Sequence, residues 1–259
     1  MNTVILELNI LAGNYPVEYI FSMFRSFQTL VQKIAIAKNE LQLRLNYMDI
    51  VGDLFACQHW SIYLHDSLGQ RATIEIKGLP DSFLDYYETI GAEVDPVIKY
   101  VSKHHIPVHE QVIFTEATWK QSQLYQSGCG KIYDHEHIMT GPIVGQGKLI
   151  GTVHFARTSG TSPFNTMDLM HLGAICAHIS AKLAFLRAQP ELSRLEGVTC
   201  LTVRELQIAS LVANGLTNAE IANELWISQN TVKQTLKRIF RKLDVSARAE
   251  MVAKLQLTS

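Results

Sequence analysis

LTVRELQIASLVANGLTNAEIANELWISQNTVKQTLKRIFRKL, residues 201–243, carries three helix-start signals in close succession. Thr202 and Glu205 have the T-x-x-E spacing of a capping box, in which hydroxyl and carboxylate satisfy amides at a helix start. Leu206, Ile208, Leu211 and Val212 supply an apolar face, and Asn214-Gly215 stops the helix. Thr217 and Glu220 repeat the box ahead of Ile221, Ala222 and Leu225. Ser228 then caps a helix in which Val232, Leu236, Ile239, Phe240 and Leu243 recur on one face, while Lys233, Gln234, Lys237, Arg238 and Arg241 occupy the other. Two short helices joined by a tight turn, the second with a cationic face, form the helix-turn-helix arrangement that enters the major groove of DNA. Lys and Arg neutralise phosphates or donate to guanine, Gln pairs with adenine, and Ser228, Thr231 and the adjacent amides suit a phosphate.

From Leu201 to Leu257 the motifs are Leu-Thr-x-Arg-Glu-Leu, Gly-Leu-Thr-Asn-x-Glu-Ile-Ala, Ile-Ser-x-x-Thr-Val-Lys and Lys-Leu-x-Val-x-x-Arg-Ala-Glu. This stretch resembles the LuxR/FixJ-type DNA-binding domain. The resemblance implies an all-α four-helix domain whose third helix reads DNA, with Lys233, Gln234 and Lys237 nearest the bases. Thr235 stands where that family often carries His. The last helix, Arg248 to Leu255, would pair two copies, so the expected partners are a second copy of the chain and double-stranded DNA with a short inverted repeat.

Upstream, short strand-like runs are bounded by turn residues: Trp60 to Leu64 before Asp66-Ser67-Leu68-Gly69, Ala72 to Ile76 before Gly78, and Ile150 to Phe155 after Gly145-Gln146-Gly147. Helical spacing marks the first fifty residues, Ser82 to Ile90, Pro96 to Lys103 and Asn165 to Arg187. The expected fold class is therefore α+β: an N-terminal α-β-α sandwich over residues 1–188, a linker over 189–197 and the helix-turn-helix domain over 198–259. Charge divides along the same line. Eight basic and five acidic residues follow Val198, whereas the region before it is acidic within a total of −1.

The N-terminal segment Phe83-Leu84-Asp85-Tyr86-Tyr87, followed by Asp95-Pro96-Val97-Ile98 and Pro107, is similar to the autoinducer-binding domain of quorum-sensing LuxR regulators. That likeness implies a small-molecule ligand, an acyl-homoserine lactone in that family, with Tyr86 and Asp95 as polar anchors and Phe83, Trp60 and Tyr63 around them. Phe83 stands where the family has a Trp that donates to the lactone, and Phe cannot donate. The strand pattern is equally compatible with a GAF-like sensor. Each residue also has a packing role available: Asp95-Pro96 is a common helix start, and aromatics at helical spacing fill cores. A regulator controlled by abundance or a protein partner, and an enzyme tethered to DNA, are the alternatives. No G-x-S-x-G or comparable nucleophile motif supports an enzyme.

Four cysteines, at 57, 129, 176 and 200, show no paired spacing and read as core residues. His104, His105 and His109 lack partners at ligand spacing, and His135 and His137 read as an exposed loop, so neither metal nor cofactor is expected. The N-terminus lacks a basic n-region, and the apolar run from Leu169 to Leu186 is interrupted by His171, His178 and Lys182. A cytoplasmic protein without a membrane span is the reading.

Overall fold

The computed structural model describes residues 17–65, 72–87, 89, 92–188 and 201–256. The Asp66-Gly69 turn, the 189–197 linker and Cys200 lie outside the described residues. The amphipathic opening forms two helices, α1 (Val17–Ile36) and α2 (Glu40–Leu54), the second capped by the Asn39 side chain accepting from the Gln42 amide. Strands β1 (His59–His65) and β2 (Ala72–Lys77) follow, then α3 (Asp81–Tyr86), α4 (Ala92–Val94), α5 (Pro96–His104), β3 (Val108–His109), α6 (Glu110–Ile113), α7 (Glu116–Gln121) and α8 (Gln123–Ser127). A hairpin of β4 (His137–Gly145) and β5 (Lys148–Arg157) leads to α9 (Thr166–Arg187).

The five strands make one antiparallel sheet in the order β2-β1-β5-β4-β3. Gln146 and Gly147 both have positive φ, 51° and 73°, which suits the twist of a two-residue hairpin turn. Alternation then sorts side chains to two faces. Ile62, Leu64, Met139, Ile143, Val153 and Phe155 pack against α1, α2 and α9 in one core. On the other face Ile138 and Ala156 meet Phe83, Val97, Val101, Trp119 and Leu124 in a second. This is the α-β-α sandwich expected from the sequence. Cys57, Cys129 and Cys176 are buried and free.

Helix α9 begins at a capping box between Asn165 and Asp168. It is long and apolar enough to cross a membrane by length and composition. Here Leu172, Ile175, Cys176, Ile179, Leu183 and Leu186 bury one face against the sheet. The close approach depends on Gly141 of β4, where a Cβ would stand 2.5 Å from the Cys176 sulfur and 2.9 Å from Leu172.

His135 and His137 depart from the exposed-loop reading. His137 opens β4, its Nδ1 lying 2.8 Å from Glu110 Oε1, and His135 is buried beside it. The run from His137 to Gly145 contains Gly, Pro and Thr, with Gly141 where α9 approaches, which masks the alternation of a strand.

After the undescribed stretch, α10 (Val203–Ala213), α11 (Asn218–Glu224), α12 (Gln229–Leu243) and α13 (Arg248–Gln256) enclose a third core around Ile208, Ile221, Val232, Ile239 and Met251. Replacing Gly141 by Val should force α9 off the sheet and lower stability by about 1–3 kcal/mol, read in a denaturant melt of the full chain.

Candidate DNA-reading surface and ligand cavity

The outer face of the sheet holds a cavity of about 80 Å³. Asp95, Phe83, Trp60 and Tyr63 all line it, so four residues singled out from the sequence meet there. Tyr86 does not; its hydroxyl lies 2.8 Å from Ser127 Oγ, and Tyr87 takes the tyrosine place in the lining. Asp95 Oδ1 caps α5 by accepting from the Val97 and Ile98 amides at 2.8 and 3.0 Å, and Oδ2 accepts from the Tyr87 hydroxyl at 2.8 Å. Burial raises the Asp95 carboxyl and the Tyr87 phenol, with those amides opposing the first shift. The cap and the cavity role that the sequence left as alternatives thus occupy one side chain. Trp60 gives its indole N–H to the Met48 carbonyl of α2, so it offers the cavity only ring surface.

Polar groups on the strands sit among these aromatics. His154 of β5 lies between Thr140 and Thr152, at 3.2 Å from Nδ1 and 2.7 Å from Nε2. Burial lowers its pKa to about 4, and that of His135 to about 3. Both rings are neutral at neutral pH.

In the C-terminal domain both predicted capping boxes close: Thr202 accepts from the Glu205 amide while Glu205 accepts from the Thr202 amide, and Thr217 and Glu220 do the same. Ser228 caps α12 through the Thr231 amide, with the two hydroxyl oxygens 2.9 Å apart. Lys233, Gln234, Lys237 and Arg241 are exposed along α12, and Arg238 is half-buried. Lys242 reaches back 2.8 Å to Glu205, tying the end of α12 to the start of α10. In α13 Met251 is buried in the core, Arg248 holds Asn218 and the Leu216 carbonyl, and Ala249 and Ala253 face outward one turn apart.

Residues 199–255 match the family model described as bacterial regulatory proteins, luxR family. They form a LuxR-family helix-turn-helix domain. Similar proteins include the probable transcriptional regulatory protein SgaR of Hyphomicrobium methylovorum, 38% identical over 82 residues covering 32% of this chain and 39% of that protein. The transcriptional regulatory protein LiaR of Bacillus subtilis is 52% identical over 50 residues, 19% of this chain and 24% of its own. The chain thus spans well under half the length of these relatives, and only 8% of the HTH-type regulator AlkS of Alcanivorax borkumensis. Among solved structures, Escherichia coli SdiA is 17% identical with a TM-score of 0.47, covering 91% of this chain and 97% of that one. The GAF domain of an Acinetobacter phosphoenolpyruvate-protein phosphotransferase is 18% identical at a TM-score of 0.46, over 64% and 96%.

The LuxR-family domain meets the sandwich at two places that sequence reasoning missed. Arg44 of α2, 1% exposed, pairs with Glu75 of β2 at 3.1 Å and donates to the Leu201 carbonyl at 3.0 Å. A cleft also runs between β2 and α12, lined by Ile74, Glu75 and Ile76 on one side and Thr231, Thr235, Arg238 and Arg241 on the other. Thr235 is 3% exposed and flanks the apolar stripe of α12, one turn before Ile239. The one sequence signal was Arg44 itself, a cation in register with Tyr47, Met48 and Val51 on the buried side of α2.

The neutral imidazoles fix the sign of the pH response. A His whose folded pKa is lowered contributes full stability above the unfolded value near pH 6.5, and loses it as pH falls toward the folded value near 4. Between pH 7 and pH 5 the parent should lose about 2 kcal/mol through His154 alone. His154→Gln should show a correspondingly shallower fall in Tm over that interval.

Proposed function

We propose that the chain is a dimeric DNA-binding transcription regulator acting in the cytoplasm, its output set by a small molecule in the sandwich cavity. The observation that carries the DNA-binding reading is the exposed row of Lys233, Gln234, Lys237 and Arg241 on a helix whose start is fixed by Ser228. Lys233, Gln234 and Lys237 are assigned to base edges; Ser228, Thr231, Arg238 and Arg241 are assigned to phosphates. Dimerisation is supported by the outward Ala249 and Ala253 of α13, which permit close helix approach, and by exposed apolar groups on α1 and α9: Phe21, Phe24, Met170 and Phe185. Two-fold pairing would then require an inverted repeat with half-sites about one helical turn apart.

Control by a ligand is supported by the cavity and by what surrounds it. Ile74, Ile76, Leu79 and Leu84 line both the cavity and the cleft against α12, so one wall separates ligand from recognition helix. A ligand changes DNA affinity only if it binds the two arrangements of that wall differently. An acyl-homoserine lactone, with its amide N–H given to Asp95 Oδ2, is the candidate that the resemblance of residues 83–107 implies. Regulation by abundance or a protein partner is the competing reading, and no shift in Tm with any lactone removes that ligand.

Fluorescence anisotropy on a selected inverted repeat and on scrambled duplex tests the output. Lys233→Ala should weaken operator binding by about 1–3 kcal/mol. Gln234→Ala and Lys237→Ala should narrow the gap between operator and scrambled duplex, and Arg241→Ala should weaken binding to both and reduce its salt dependence. Equal affinity of the parent for both duplexes would overturn sequence-specific regulation.

A further inference from the structure

Three helices of the C-terminal domain end in the same backbone motif. After α10 the Gly215 amide donates to the Val212 carbonyl at 2.9 Å and the Leu216 amide to Leu211 at 3.1 Å. After α11 Trp226 donates to Asn223 at 3.4 Å and Ile227 to Ala222 at 3.0 Å. After α12 Asp244 donates to Arg241 at 3.3 Å and Val245 to Phe240 at 3.0 Å. The residue that turns the chain is left-handed in each, with φ of 87° at Gly215, 55° at Trp226 and 53° at Asp244. Glycine takes that conformation freely and Asp tolerates it, whereas a bulky side chain crowds the following carbonyl. Trp226 is the outlier of the three.

Strain of this kind is ordinarily offset by burial. Trp226 is 94% exposed, against 2% for Trp119, and Trp60 is half-buried. Ile227, the next residue, packs on the domain core, so the hydrophobic contact that accompanies the motif is made without the tryptophan. The chain therefore holds its largest type of apolar side chain in solvent on a strained backbone, and such an outlier calls for a contact outside the chain.

The place of the ring in the fold names the partner. Trp226 stands in the turn between α11 and α12, two residues before Ser228, whose hydroxyl caps α12. In a helix-turn-helix the first helix crosses the DNA backbone and the start of the second enters the major groove, so the turn between them lies at the rim of the groove, over sugar and phosphate. Ser228, Gln229 and Asn230, which follow the ring, are exposed, uncharged hydrogen-bonding residues of the kind that meet phosphate oxygens. A flat apolar ring beside them matches the carbon face of a deoxyribose, a surface that does not change with base sequence.

We propose that Trp226 is a DNA contact, its ring lying on the sugar-phosphate backbone beside the phosphate assigned to Ser228 and adding affinity without sequence preference. The inference rests on the reading of α12 as the DNA-reading helix.

Trp226→Gly, Trp226→Ala and Trp226→Phe in the full chain test it, through thermal unfolding and through anisotropy on a selected inverted repeat and a scrambled duplex. Trp226→Gly should raise Tm by about 2–4 °C, because it relieves the left-handed turn, yet weaken binding to both duplexes by about ten-fold. Trp226→Ala, which keeps the strain, should bind as weakly with no gain in Tm, and Trp226→Phe should recover most of the affinity. Acrylamide should quench Trp226 in the free parent, as the component of emission missing from Trp226→Ala, and either duplex should shield it. A fall in Tm for Trp226→Gly would overturn the strained turn on which the inference stands. Parent-like affinity of Trp226→Ala, or a ring as open to acrylamide in the complex as before it, would overturn the DNA contact and leave the ring to a protein surface. A loss confined to the inverted repeat would overturn contact with the backbone. No binding of the parent to either duplex would overturn both this inference and the DNA-binding reading.

Discussion

Arg44 is the charge on which the arrangement of the chain turns. A guanidinium removed from water must have its hydrogen bonds returned by the protein, and losing one partner of such a buried group costs several kcal/mol. Glu75 on the edge strand β2 and the carbonyl of Leu201 at the start of the LuxR-family domain are among its partners. Because these belong to different elements, satisfying one side chain sets where α2, β2 and the first turn of α10 meet. Glu205 extends the same economy: one carboxylate closes the α10 capping box and receives Lys242 from the end of α12.

Strand β2 therefore stands between the two parts. Glu75 pairs with Arg44 and lines the cleft, while Ile74 and Ile76 form wall common to the cavity and the cleft. Among the described residues it is an edge strand with β1 as its sheet neighbour, which makes it easier to displace than β5 at the centre. That combination suits an element between an input and an output.

The C-terminal helices were legible because their information is local. Thr202, Thr217 and Ser228 announce helix starts with side chains that act within three residues, and the stripe from Val232 to Leu243 repeats at helical spacing. The sandwich was legible where alternation is clean, as in β1 and β2, and obscure in β4, where Gly141 replaces an expected branched residue because α9 presses on that face and Pro142 breaks the strand signal further. Among cavity residues, Asp95 and Phe83 stood out through resemblance. His59 and His135 did not, since their pairing depends on contacts between segments far apart in sequence. Tyr86 and Tyr87 show the limit most directly: adjacent tyrosines at the end of one short helix have different partners, and only the packing of Ser127 and Asp95 decides which enters the cavity. Arg44 and Glu75 are separated by 31 residues, and Arg44 and Leu201 by 157, so nothing local marks the joint.

The coupling of the two parts through Arg44 is tested most directly by amide hydrogen exchange of the full chain bearing Arg44→Met. The account predicts that β2 and the segment from Leu201 to Leu206 lose protection together, while the centre of α9 keeps it. Loss confined to α2, with the Leu201 to Leu206 segment unchanged, would contradict it.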